Sequence, residues 1–243
     1  QNIIANPSIV RAHTYGDVYT ILNKADQNPA NSNQVWLIYT EQHRSKIDLQ
    51  SGNSIVGKWN REHIYPQSRG NYGDLYNLPP AGINKWTLSS ADDIGAGLSD
   101  AHHLRAADGQ ENSSRNNRNY GVDYNGPTGN RGTWRGDVAR AVFYMAVRYN
   151  GLNVVNGNPS ENIIGQIGDL TTLLSWNKLD KSDDFEMHRI NYIYTWQMNR
   201  NPFIDYPDLA DYIWGAKVGQ KWYSTLSTYN FSKSKIGVYP NPA

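Results

Sequence analysis

Between Thr14 and Asp26 the apolar residues Val18, Ile21, Leu22 and Ala25 fall at i, i+3, i+4 and i+7, the spacing of one helix face. The stretch Gln27-Asn28-Pro29-Ala30-Asn31 then breaks the pattern. Val35 to Thr40 is a run of strand formers with the length of a buried strand. Gly52 to Ser54 reads as a turn, and Ile55 to Trp59 as a second short strand that leads to Glu62 and His63. Residues 69 to 98 lose periodicity and are rich in Gly, Pro, Asn and Asp, which predicts a loop with at most one short helix.

The clearest helix is Trp134 to Tyr149. Val138, Ala141, Val142, Met145 and Tyr149 line one face and Ala139, Phe143 and Val147 another, so the helix should be buried. Arg140 in its middle then requires a carboxylate partner. Ser182 to Arg200 predicts another long helix, with Asp183 and Asp184 suiting the positive end of its dipole. Its stripe of Phe185, Tyr192, Ile193 and Trp196 reads as core and not as a base-stacking platform, and His188 reads as an isolated structural histidine. Pro207-Asp208 looks like the start of one more short helix. From Lys221 the chain turns polar and rich in Ser and Tyr, so residues 1–220 are expected to form the folded domain and 221–243 a tail. No internal repeat is evident.

A chain of 243 residues with 38% hydrophobic and 12% aromatic content has the means to bury a core, which excludes a disordered protein. The longest apolar run, Ala141 to Val147, falls well short of the roughly 18 residues a membrane helix needs, so no membrane partner is expected. The absence of cysteine removes disulfides, thiolate nucleophiles and Cys-ligated zinc, but not secretion, since a core of this size does not require covalent staples. A start at Gln1 with no basic-then-apolar leader reads as the mature form of a secreted protein. The net charge of +1 does not advertise a polyanionic partner. Between Arg105 and Arg148, however, seven arginines face four acids, a local excess of 7 − 4 = +3 that suits a cationic cleft.

Candidate chemistry concentrates in Trp59-Asn60-Arg61-Glu62-His63-Ile64-Tyr65-Pro66-Gln67-Ser68. Neutral imidazole accepts a proton near pH 7, and carboxylate oxygen is what Mg²⁺ prefers. In an extended segment, Glu62 and His63 point to opposite sides and so to different parts of one site. A Glu-His pair alone is far more often a solvated surface pair than a catalytic one.

The surroundings of that pair resemble the signature of the endonuclease I family, nucleases with a ββα-metal (His-Me finger) site. Asn60-x-Glu62-His63-x-x-Pro66-x-Ser68 carries the resemblance first. It continues through Ser99-Asp100-Ala101-His102-His103-Leu104, then Gly109-Gln110-Glu111-Asn112 with Arg115-Asn116-Asn117. Arg135 to Ala141 and Asn199 to Asp205 complete it, in the family order, over about residues 14 to 215. The lack of cysteine departs from family members that carry several disulfides.

The resemblance implies an α+β fold, a ββα-metal site embedded in a mostly helical single domain. Asp100 to Leu104 would be the second strand of that unit and Asn112 would lie on the following short helix. It implies a secreted, sequence-nonspecific endonuclease acting on DNA and RNA as a monomer, with a single Mg²⁺ held by Glu62 and Asn112; Mn²⁺ or Ca²⁺ could stand in for it. His63 would be the general base that activates water, and cleavage would leave 5′-phosphate ends. Arg105 and Arg115 are the candidates for the cation at the phosphate. Asn112-Ser113-Ser114 is also a glycosylation sequon, and a glycan there would exclude the ligand role. The closing Val238-Tyr239-Pro240-Asn241-Pro242-Ala243 resembles the opening of a type IX secretion sorting domain. Three rival readings remain open: a zinc phosphodiesterase using His63, His102, His103 and Asp108, a non-catalytic extracellular nucleic-acid-binding protein, and a purely structural secreted module.

Overall fold

Helix α1 (Asp17–Ala25) forms on the expected residues, with Val18, Ile21, Leu22 and Ala25 all buried. Its start is closed reciprocally: Thr14 Oγ1 accepts from Asp17 N at 2.9 Å, and Asp17 Oδ2 accepts from Thr14 N at 3.4 Å. The computed structural model describes residues 1–72 and 80–223, and within them the chain combines helices with short paired strands. Strand β1 (Arg11–His13) precedes α1, and β2 (Gln34–Leu37) and β3 (Gln42–Ser45) follow it as an antiparallel pair. Next come β4 (Trp59–His63), the single turn α2 (Gln67–Gly70) and β5 (Trp86–Leu88), which pairs with β1.

The central pair is β4 with β6 (Leu104–Asp108), antiparallel, in the register Glu62 opposite Arg105 and His63 opposite Leu104. A parallel bridge from Ile38 to Ala107 ties this pair to the end of β2. Trp59, Leu104 and Ala106 pack against Val18 and Leu22 of α1. Ala107 and Ile64 join the main core, built round helix α4 (Arg135–Arg148). Helix α3 (Gly109–Arg115) follows β6 directly and packs on both strands.

Two strand boundaries differ from the sequence expectation. The strand that carries Glu62 and His63 begins at Trp59, not Ile55: Lys58 N bonds Ile55 O at 3.2 Å and Gly57 has φ +67°, so the segment before Trp59 is a turn. Its partner runs over Leu104–Asp108, not Asp100 to Leu104. The cause is the Asp100 side chain, which accepts from His102 N at 3.0 Å and bends the chain there.

Asp100 accepts three further bonds, from Gln197 Nε2, Tyr144 Oη and Tyr149 Oη, each at 2.9 Å. Burial works against its charge, but His102, Arg148 and His103 outweigh it and hold its pKa below the ordinary range. Removing this carboxylate strands several buried donors. Asp100→Ala should therefore cost about 3–5 kcal/mol of unfolding free energy at pH 7. Because the folded pKa is depressed, the Asp100 contribution is complete above the unfolded value of about 4 and disappears as pH falls through the folded value. Urea unfolding of wild type and variant should differ widely at neutral pH and converge in acid.

Helix α4 matches its expected span, and buried Arg140 finds the carboxylates it needs. Its Nε donates to Glu186 Oε1 at 2.9 Å and its Nη2 lies 3.2 Å from Asp137 Oδ1. Strands β7 (Asn153–Val154) and β8 (Gln166–Ile167) pair in parallel, and α5 (Leu170–Leu179) follows. The sequence reading offered no helix at α5, although Asp169 caps it and Leu170, Leu173 and Trp176 give it a buried face. Helix α6 (Asp184–Gln197) starts at its Asp183 cap, and its Ile190 and Ile193 are buried, while His188 is exposed. The short α7 (Pro202–Asp205) and α8 (Leu209–Ile213) close the described part. The long loop expected over 69 to 98 contains β5 and a 3₁₀ turn at Ile94–Ser99, and its residues 73–79 lie outside the described residues. So do residues 224–243 of the expected tail, with the sorting-domain resemblance at 238–243. Among the described residues no helix is long and apolar enough to cross a membrane.

Candidate active site

Strand β4 and helix α3 meet over a cleft of about 280 Å³. Tyr15, Arg61, Glu62, His63, Pro66, Gln67, Asn112, Ser113, Arg115, Asn116 and Asn117 line it. The helix is pinned at its start by Asp108, whose carboxylate accepts from Gln110 N at 2.9 Å and Glu111 N at 3.0 Å. That anchor sets Asn112 over β4. Its Nδ2 donates to Asn60 Oδ1 at 2.8 Å and to the Arg61 carbonyl at 3.3 Å. A carbonyl can only accept, which fixes the orientation of the amide and leaves Oδ1 as its uncommitted acceptor.

Glu62 is only 3% exposed. Its Oε1 accepts from Tyr39 Oη at 2.7 Å and lies 3.4 Å from Arg115 Nη1, whereas no described residue donates to Oε2. Burial pushes the carboxyl up to about 7, even though Arg115 and the Tyr39 hydroxyl pull the other way.

His63 has a defined tautomer. Its Nε2 stands 3.0 Å from the carbonyl oxygen of Leu98, which can only accept, so Nε2 carries the hydrogen and Nδ1 the lone pair. Tyr15 stacks on the ring at 5.5 Å between centroids. Burial first, then the neighbouring His103, lower the imidazole pKa to about 3, so the ring is neutral at pH 7.

The five residues singled out in the sequence do not all meet here. Glu62, His63, Asn112 and Arg115 line the cleft; Arg105 does not. The Arg105 guanidinium, expected at the phosphate, is buried and locked between Asp26 at 3.3 Å and Asp137 at 2.9 Å, outside the residues that line the cleft. Arg115 is buried as well and largely committed. Its Nη1 donates to the His63 and Asn116 carbonyls at 3.2 and 3.0 Å, its Nη2 to the Ile64 carbonyl at 2.7 Å, and its charge faces Glu62.

The ligand set of the zinc reading is dispersed. The ring nitrogen of His102 turns to Asn199 at 3.2 Å, that of His103 to the Gly97 carbonyl at 2.7 Å, and Asp108 caps α3 while pairing with Arg44 at 2.6 Å. Among the described residues no group of three or more His, Cys, Asp or Glu could hold a metal ion. A Mg²⁺ that keeps several waters needs fewer protein ligands than that, and hard oxygen donors suit it. The Glu62 carboxylate and the Asn112 Oδ1 are such donors. A buried carboxyl raised toward neutrality with one oxygen undonated fits a divalent cation.

Sequence reasoning passed over the residues that orient these groups. Tyr39, Tyr15 and the Leu98 carbonyl lie 23, 48 and 35 positions away from the residues they touch, and no local motif marks them. Arg61 lies inside the signature stretch, next to Glu62, and also lines the cleft.

The family model described as endonuclease I matches residues 1–208. Two relatives, named extracellular ribonuclease in Bacillus amyloliquefaciens and in Bacillus subtilis (strain 168), are each 40% identical over 230 residues, spanning 85% of this chain and 71% of theirs.

Proposed function

The chain belongs to the endonuclease I family, and from that membership we propose that it is a secreted, sequence-nonspecific, Mg²⁺-dependent endonuclease that hydrolyses RNA and DNA. Membership makes it a nuclease with nucleic-acid substrates. The observation that carries the finer reading is the pairing, in one cleft, of a neutral imidazole anchored through Nε2 with two oxygen donors on its flank. The extracellular relatives support secretion, and their name supports RNA as a substrate.

A phosphodiester resists hydrolysis because its negative charge repels nucleophiles and its alkoxide leaves poorly. Glu62 and Asn112 would hold Mg²⁺, which when bound supplies positive charge for the phosphate and the leaving group. His63 Nδ1 takes one proton from water as the water oxygen attacks phosphorus. The Leu98 carbonyl steadies the resulting imidazolium through Nε2–H, as a general base requires. The bond from phosphorus to O3′ breaks, and O3′ takes a proton from solvent water, leaving a 5′-phosphate and a 3′-hydroxyl. Since water is the nucleophile, the ribose 2′-hydroxyl has no role, so DNA and RNA both serve.

Cleavage of plasmid DNA and of a matched RNA should stop with EDTA and return with Mg²⁺. Return with Zn²⁺ alone would favour the zinc reading, and a mobility shift without cleavage the binding-protein reading. Products should be a smear of short oligonucleotides, because backbone contacts carry no sequence information. Binding should weaken steeply with salt through counterion release. A recurring cut sequence, or 2′,3′-cyclic ends with an absolute need for RNA, would refute this function.

A further inference from the structure

We infer that Arg61, not Arg105 or Arg115, is the residue whose guanidinium meets the substrate phosphate in the cleft. The inference rests on the nuclease reading above and specifies a contact that reading leaves open. Two cations line the cleft, Arg61 and Arg115. The Arg115 charge faces Glu62, and its terminal nitrogens are spent on backbone carbonyls. Arg61 differs in its charge environment. Its charge is flanked by tyrosines, with no carboxylate among the groups that act on it. Its Nε, like that of Arg115, is buried without a hydrogen-bond partner among the described residues, so the difference between the two cations lies in the carboxylate that only Arg115 faces.

The guanidinium is also held in place. Its central carbon sits 3.3 Å from the Tyr15 ring centroid and 3.7 Å from that of Tyr19, and Nη1 donates to the Tyr15 carbonyl. A planar cation clamped between two rings loses little entropy when it meets an anionic oxygen. Tyr15 itself stacks on His63, so the clamp holds the cation in fixed relation to the base. Arg61 and His63 share one side of β4 by the alternation of the strand, and both line the same cleft. An unneutralised, immobilised cation beside the imidazole is the arrangement a phosphate oxygen requires.

The competing view is that Arg61 only fastens β4 to the segment before α1. Binding separates the two. In a His63→Ala background, where the oligonucleotide stays intact, Arg61→Gln should weaken binding of a short single-stranded DNA about tenfold. It should also flatten the slope of log affinity against log salt by about one. In the active protein the same change should lower kcat about 10²-fold or more, with the Mg²⁺ requirement unchanged. Arg61→Lys keeps the charge but not the fork, and should retain the salt slope while recovering only part of kcat. Tyr19→Leu loosens the clamp from outside the cleft and should lower kcat modestly with the slope intact. These variants should melt close to the parent. An unchanged affinity and slope in Arg61→Gln, with the wild type cleaving normally, would overturn the assignment. So would a loss of melting temperature in Arg61→Lys that accounted for the whole loss of activity. A wild type that neither cleaves nor binds would instead sink the nuclease reading on which this inference stands.

Discussion

His63→Ala should lower turnover by about 10²–10⁴-fold while leaving Mg²⁺ and nucleic-acid binding near wild type. The reason is the division of labour in the cleft. His63 offers Nδ1 as a proton acceptor and spends Nε2–H on the Leu98 carbonyl, whereas the oxygen donors belong to Glu62 and Asn112. Truncation removes the acceptor and leaves the carboxylate network of Tyr39, Glu62 and Arg115 in place. Single-turnover rates on a labelled duplex, with binding followed separately by fluorescence anisotropy, distinguish the two effects. A smaller side chain leaves room for added imidazole, which should restore part of the rate. Near-normal turnover in His63→Ala, or a fall in rate explained by lost substrate affinity, would remove His63 as the base.

Glu62→Gln should have the second large effect, raising the Mg²⁺ requirement by more than about 100-fold, and Asn112→Ala should raise it by about 10–100-fold. Glutamine is the informative change at position 62. Alanine would leave the Arg115 cation and the Tyr39 hydroxyl buried with no acceptor at position 62, at a cost of about 3–5 kcal/mol, and would confuse folding with metal binding. Glutamine keeps an acceptor for the Tyr39 hydroxyl and removes only the charge. Both variants should regain activity as Mg²⁺ is raised, which separates them from His63→Ala. Calorimetric Mg²⁺ titrations that superimpose on wild type would show that these oxygens are not the ligands.

Much of this architecture was legible along the chain. Helices α1, α4 and α6 came from residues three and four apart, because the helical repeat is a local property and a buried face must follow it. The adjacency of Glu62 and His63 on an extended segment and the need of Arg140 for a carboxylate were likewise written locally, whereas Asn112 on the helix after β6 was reached through the family resemblance. The start of β6 was not written locally, because the Asp100 side chain that bends the chain at His102 is itself held by Tyr144, Tyr149 and Gln197, which no pattern near residue 100 announces.

The roles of the arginines were decided by the tertiary structure alone. Arg105, Arg115 and Arg61 are equivalent letters in a sequence, each a fixed positive charge on a flexible stem. Folding sets Arg105 against Asp26 and Asp137, sets Arg115 among the carbonyls of β4 and its continuation, and leaves Arg61 between two rings. A charge acts through what stands within a few ångströms of it, and those neighbours come from chain positions that only packing brings together.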